Sequence, residues 1–449
     1  MKKNLAIYLV LFSSLFAGVS CSDDDDKAAQ GTPYASILSY SIGNLNVPFY
    51  DYDVEGNAVV VEKLVAGEEF EFVIDNKARE VYNIDSLTYG TKVNKVTATL
   101  TCEGKAYRFD PYSGNYVSFL NTDSIDYTNP VDVYVESTDG SYRNYYTIKL
   151  NVHQINPDLF SWKEYLATEI ASISPKRLLE KDGNLYLFGN NAAGDCFVAV
   201  SPMAEDLSWT ISPIALSGAD LSSMQLFNDA FYVVVGGDLY SSFDALSWTV
   251  VSQGINLKTL LAANDGGMLW AATADEILSS EDGVTFAVCE PLPDDFPLYG
   301  CNAATYPLTT NKKISRTVLV GYSDVAKTGN VYVWSKLSTE DKWSLYDNET
   351  DIYRCPSMKD LAVFHYNDAL YAFGGAATIA DKTIEPFSAF YISKDNGLSW
   401  EKNASYNEKF PDELKGKDTE FGAMVSSDNY IWVVTPTGVW KGILNRLNF

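Results

Sequence analysis

Strict alternation of apolar and polar positions marks the first part of the chain. Residues 69–74 and 96–101 alternate, and residues 131–136 and 145–152 do so on either side of a turn containing Asp139-Gly140. Alternation with period two sends one side of a strand into a core and the other into water. An Asp-Gly turn supplies the backbone freedom that joins two such strands into a hairpin. Short strands divided by turn residues over residues 34–154 predict one β-sandwich, and residues 155–158 (Ile-Asn-Pro-Asp) predict a linker.

From residue 159 to 449 the pattern becomes a repeat. Residues 232–240, 270–278 and 432–440 each hold an aromatic-led apolar strand, a tight turn and a second short strand. The first two run into boxes at 241–248 and 279–286. The best-spelled box, at 393–400, reads S-x-D-x-G-x-S-W, and looser relatives end at Trp209 and Trp343. The spelling has a physical basis. An Asp carboxylate accepts from amides around the turn, a Gly takes positive φ without strain, and the Trp plugs the space beneath. The 279–286 copy keeps Ser, an acid, Gly and an aromatic, whereas 241–248, aligned from Ser241, lacks the acid and the Gly.

The closing aromatics Trp209, Trp248, Phe286, Trp343 and Trp400 are spaced by 39, 38, 57 and 57 residues. A period of about 40 is the length of a four-stranded propeller blade. The two long steps predict insertions, placed at 291–313 and 376–386. The final repeat, 421–442, stops before a box strand, and residues 160–165, with Trp162 in the box-Trp place, supply one. Pairing these segments would close the ring and hide its edges. The expectation is therefore an all-β chain: a sandwich, then a six-bladed propeller, with seven blades the alternative if an insertion hides one.

Ser393, Asp395, Gly397 and Trp400 resemble the Asp-box of sialidase-like (BNR-repeat) propellers, and strands such as 370–375 are similar to kelch repeats. In that family the box is structural. The resemblance invites a sialidase reading, whose chemistry uses three Arg on the substrate carboxylate, a Tyr nucleophile with a Glu base, and an Asp acid. The propeller region contains only Arg177, Arg316, Arg354 and Arg446, and residues 174–177 do not spell Arg-Ile-Pro. No G-x-S-x-G elbow appears and only His153 and His365 are present, so nucleophilic triads have little material. No catalytic residue is assigned. Aligned starts of the innermost strands carry Arg177, Gln225, Lys258, Arg316, Lys359 and Glu420, a cation-rich ring at the axis that could draw an anionic ligand or serve inter-blade hydrogen bonds. Phe296, Tyr299 and Tyr306 could stack on sugar rings or cap their own loop.

A net charge of −26 argues against a nucleic-acid partner, and 46% hydrophobic residues argue against disorder. Lys2 and Lys3 precede an apolar run over residues 5–19, the pattern of a signal peptide over 1–20. Gly18-Val19-Ser20-Cys21 resembles a bacterial lipobox, which implies a lipid on Cys21. The following acidic run, residues 23–26, resembles the surface-export signal of Bacteroidetes lipoproteins, making 21–33 a tether. Beyond Cys21, Cys102, Cys196, Cys289, Cys301 and Cys355 are odd in number and lack C-x-x-C spacing, which predicts neither a disulfide framework nor a metal site. No cofactor is expected. The whole chain resembles Bacteroidetes surface lipoproteins that join an immunoglobulin-like module to an Asp-box propeller. The resemblance implies a non-catalytic outer-membrane protein that meets the membrane only through its lipid and binds a glycan or a surface protein. The alternative is a divergent glycoside hydrolase.

Overall fold

The computed structural model describes residues 31–52, 58–157, 159–264, 267–323, 331–346, 353–379, 382–403 and 409–447; the leader, Cys21 and the acidic run lie outside them. The protein is all-β. Its chain divides into two compact units, one of residues up to Phe49 with Glu62–Gln154, the other of Ile155–Phe449 with Tyr50–Val61. Among the described residues no helix is long and apolar enough to cross a membrane.

In the first unit a six-stranded sheet runs Phe72–Asp75, Glu80–Asn83, Arg143–Lys149, Val131–Glu136, Lys105–Asp110, Asn115–Ser118. A three-stranded sheet runs Ile37–Ile42, Val96–Cys102, Ser124–Ile125. Alternate residues of both sheets, among them Val133, Val135, Ile148, Ile37, Val96 and Ala98, meet in one buried cluster. The Asp-Gly hairpin pairs Val131 with Ile148 through Glu136 with Arg143. Asp139 accepts from the Ser141 amide at 2.9 Å, and Gly140 takes φ +71°. On the outer face Tyr134 stacks against Tyr107 and leans on Tyr145 and Tyr116, cross-strand contacts that brace the sheet.

The second unit contains six four-stranded antiparallel sheets among the described residues. Their innermost strands are Ser174–Lys181, Gln225–Phe227, Thr259–Ala263, Tyr299–Pro307, Ala362–Tyr366 and Gly422–Val425. From the second onward each packs beside the next and the sixth packs beside the first, while the short 3-10 turn Leu221–Ser223, just before the second, lies against the first. The succession thus returns to its start. The outermost strand of the sixth sheet is Phe160–Tyr165, paired antiparallel with Gly438–Leu444 so that Trp162 faces Gly442. N- and C-terminal ends of the domain are thereby joined in one sheet.

The insertion expected at 291–313 is a misreading. Tyr299–Pro307 within it is the innermost strand of the fourth sheet, and Ser315–Tyr322 is the second. Its polar and Pro-flanked spelling concealed a strand whose buried side is supplied by neighbouring sheets. Phe296 and Tyr306, candidates for sugar stacking, are buried: Phe296 packs on Trp334 and Trp343, and Tyr306 stacks on His365 at 4.0 Å. Tyr299 packs against the adjoining core. The segment at 376–386 does carry an inserted hairpin, Ala377–Ile379 with Lys382–Ile384, between the second and third strands of the fifth sheet.

Three outer turns share one hydrogen-bond plan. Asp395 accepts from Ser393 Oγ and from the Ser399 amide, Ser393 Oγ accepts from the Gly397 amide, and Trp400 Nε1 donates to the Gly397 carbonyl at 3.0 Å. Asp282 takes the same place with Ser280, Val284 and Thr285. Aligning 241–248 from Ser241 hid the third. Its frame starts at Ser242, so Asp244 is the acid, and Ala245 adopts φ +63° where a Gly would stand. Trp248 Nε1 then bonds the Ala245 carbonyl at 3.0 Å, as Trp400 bonds Gly397.

Candidate functional site

At the centre of the second unit lies a cavity of about 360 Å³, lined from the first, fourth, fifth and sixth sheets and from the 3-10 turn before the second; the third contributes nothing. That volume is in the range of small-molecule sites, roughly 300–1,000 Å³. Two backbone irregularities shape its wall. Register shifts between Pro175 and Arg177 in the first sheet, and between Tyr299 and Asn302 in the fourth, where Gly300 has φ +58°. Such bulges re-aim side chains, and here they bring Lys176, Arg177, Cys301 and Asn302 to the lining.

The remaining polar wall comes from loops that precede innermost strands. Asp220 caps the 3-10 turn, accepting from the Ser222 amide at 3.2 Å and its hydroxyl at 2.5 Å. Asp360 lines the cavity with φ +53°, a left-handed conformation uncommon for a residue with a side chain. Glu420 pairs with Lys176 at 2.8 Å and also accepts from Ser174 Oγ. Asn302 donates to the Leu361 carbonyl at 2.7 Å, tying the fourth sheet to the fifth. Tyr322 gives its hydroxyl to the Met358 carbonyl and is almost fully buried. Gly422 passes close to Leu178, where a Cβ would press on that side chain.

Arg177 is half-buried in the cavity wall. Its Nη2 lies 3.5 Å from Gln225 Oε1, and its Nε is buried with no hydrogen-bond partner. Burial pulls its pKa below the ordinary arginine value, opposed by the nearby Asp220 and Cys301. Among the described residues the five cysteines form no disulfide, and Cys196, Cys301 and Cys355 are buried.

The expected ring of cations is only partly assembled. Arg177 and Glu420 line the cavity, and Gln225 is buried behind Arg177. Lys258 is exposed on the sheet that takes no part. Lys359 pairs with Asp418 at 3.0 Å outside the lining. Arg316 lies on the second strand of its sheet, giving Nη1 to Ser335 at 2.8 Å and to Tyr346 at 2.6 Å. The mistaken insertion shifted the alignment there by one strand. Lys176, Asp220, Asn302 and Asp360 were missed because they sit in bulges and loops, where repeat alignment has no register. The cavity therefore carries two cations and three carboxylates.

An all-β protein with a propeller domain and a polar axial cavity is the class that this geometry defines. The chain belongs to the DUF6242 family: residues 156–449 match its β-propeller domain, and residues 40–150 match its N-terminal domain of unknown function. No curated protein matches the chain in sequence. Among solved structures it is similar to a GH74 xyloglucanase from Xanthomonas campestris, with 12% identity, TM-score 0.39, and coverage of 62% of this chain and 46% of that one. The chain thus spans less than half the length of that xyloglucanase. It is also similar to a GH93 α-L-arabinofuranosidase from Fusarium graminearum, with 11% identity, TM-score 0.36, and coverage of 64% and 98%.

Proposed function

We propose that the protein is an outer-membrane lipoprotein, anchored through Cys21 and exposed at the cell surface, whose axial cavity captures a glycan without cleaving it. In this reading the six sheets are the blades of a six-bladed propeller, the outer turns are Asp-boxes, and the N-terminal unit is an immunoglobulin-like sandwich serving as spacer. The observation that carries capture is the lining itself. Asp220, Asp360 and Glu420 offer acceptors, Lys176 and Arg177 offer donors, and all converge on one small-molecule-sized volume. Sugar hydroxyls both donate and accept, so a mixed wall suits them. Of the four arginines in the propeller region only Arg177 lines the cavity, so a three-arginine carboxylate grip is not assembled there. A glycan array probed with the mature chain tests the reading. Binding that Asp360→Ala weakens supports it, and a blank array with a protein captured in pull-downs replaces the glycan by a protein ligand.

The three carboxylates favour a second reading, a divergent glycoside hydrolase, since that chemistry needs an acid and a base or nucleophile across one bond. Release of reducing ends from oligosaccharides, lost on Asp220→Asn or Asp360→Asn, would establish it.

A further inference from the structure

Arg177 specifies more about the ligand than a polyol would need. Among the described residues its buried Nε has no hydrogen-bond partner, and the side-chain hydrogen bond it makes, to Gln225, is long at 3.5 Å. Among the described residues no carboxylate lies within 4.0 Å of its guanidinium nitrogens to form an ion pair. Arg108 and Arg316 also leave Nε unpartnered. Each, however, gives a terminal N–H to fixed partners, Asp123 for Arg108 and Ser335 with Tyr346 for Arg316, and neither lines the cavity.

The carboxylates beside Arg177 are occupied elsewhere: Asp220 by Ser222, and Glu420 by Ser174 and Lys176. A guanidinium nitrogen withdrawn from water without an acceptor is destabilising, and a planar oxyanion can accept from the terminal N–H groups that face the cavity. Asp220, Asp360 and Glu420 limit how much negative charge can enter, because a dianion such as phosphate would face all three. One negative charge on a hydroxyl-rich body satisfies both conditions.

Resting on the capture reading, we propose that the ligand is a glycan bearing a uronic acid, its carboxylate received by Arg177 and its ring hydroxyls donating to Asp360. Calorimetry on the mature chain with a matched pair of probes tests this: the dimer of galacturonic acid and the neutral galactose dimer of the same linkage, which differ at C6. The uronate dimer is expected to bind about tenfold or more tightly than the neutral dimer, and Arg177→Gln to abolish the difference while Asp360→Ala weakens both. Equal affinity for the two probes overturns the uronate assignment and leaves glycan capture standing. The wild-type comparison needs no variant, so an Arg177→Gln chain that failed to fold would not shelter the proposal. No binding of either probe, together with a blank glycan array, overturns the capture reading and this one with it.

Discussion

The outer turns show how a few side chains hold a strand connection. In the 393–400 turn, burial raises the Asp395 pKa, but hydrogen bonds from the Ser399 hydroxyl and amide and from Ser393 outweigh it and leave the carboxyl below its ordinary value. Amides of Ser247 and Leu246 lower Asp244, and those of Thr285 and Val284 lower Asp282, more strongly. A carboxylate whose folded pKa lies below its unfolded value of 3.8 contributes stability that is fully present above that value and is lost as pH falls from there through the folded pKa. The melting temperature of the wild type should therefore fall between about pH 5 and pH 2, and Asp395→Asn with Asp244→Asn and Asp282→Asn should flatten that fall; an unchanged slope by thermal melting would show that the turns do not carry it. At neutral pH Asp395→Ala should cost about 1–2 kcal/mol in urea unfolding, the usual loss when a side-chain acceptor leaves turn amides open. Trp400, 1% exposed, adds the apolar part of the same turn; its truncation to Ala should cost about 3–5 kcal/mol.

At the scale of the element, the decisive piece is Phe160–Tyr165. It precedes the other strands of the six four-stranded sheets, yet pairs along Gly438–Leu444 at the far end of the chain. Trp162 lies over Gly442, where a Cβ would overlap its indole ring, and Nε1 donates to the Lys409 carbonyl at 2.7 Å. Glycine supplies no side chain to its strand, and the aromatic partner covers the exposed backbone. Gly442→Ala should thus be destabilising by about 1–3 kcal/mol, the range for forcing atoms into a filled site, whereas Lys441→Ala beside it should cost less. Comparable losses from both in denaturant titrations would mean that the Trp162 contact is not what fixes this pairing.

For the whole molecule, attachment and capture are separate predictions. Cys21→Ala should move the protein from the membrane fraction to the soluble fraction after cell breakage; unchanged retention on immunoblots of the fractions would remove the lipid from the account. The net charge of −26 keeps the chain from polyanions at long range, so an acidic glycan must be recognised locally at Arg177. Salt should consequently weaken uronate binding only modestly, because a buried contact is screened less than an exposed one.

Much of the architecture was legible in local spelling. Alternation and the Asp139-Gly140 turn marked the hairpin of the first unit, and the aromatic-ended boxes marked the outer strands of the second. These signals survive in sequence because turn chemistry and strand period act between residues close along the chain. The errors were equally physical. The Ser242 frame was missed because Ala245 carries a positive φ that its side chain does not advertise. Tyr299–Pro307 was missed because its burial comes from neighbouring sheets. The cavity was the least legible feature. Lys176, Arg177, Asp220, Asn302, Asp360 and Glu420 come from segments up to 244 residues apart and converge only when the sheets close around one centre. Sequence alone determined that the chain forms short strands, turns and a repeat; tertiary packing decided which charges meet, because bulges and loops aim side chains by long-range geometry that no local pattern records.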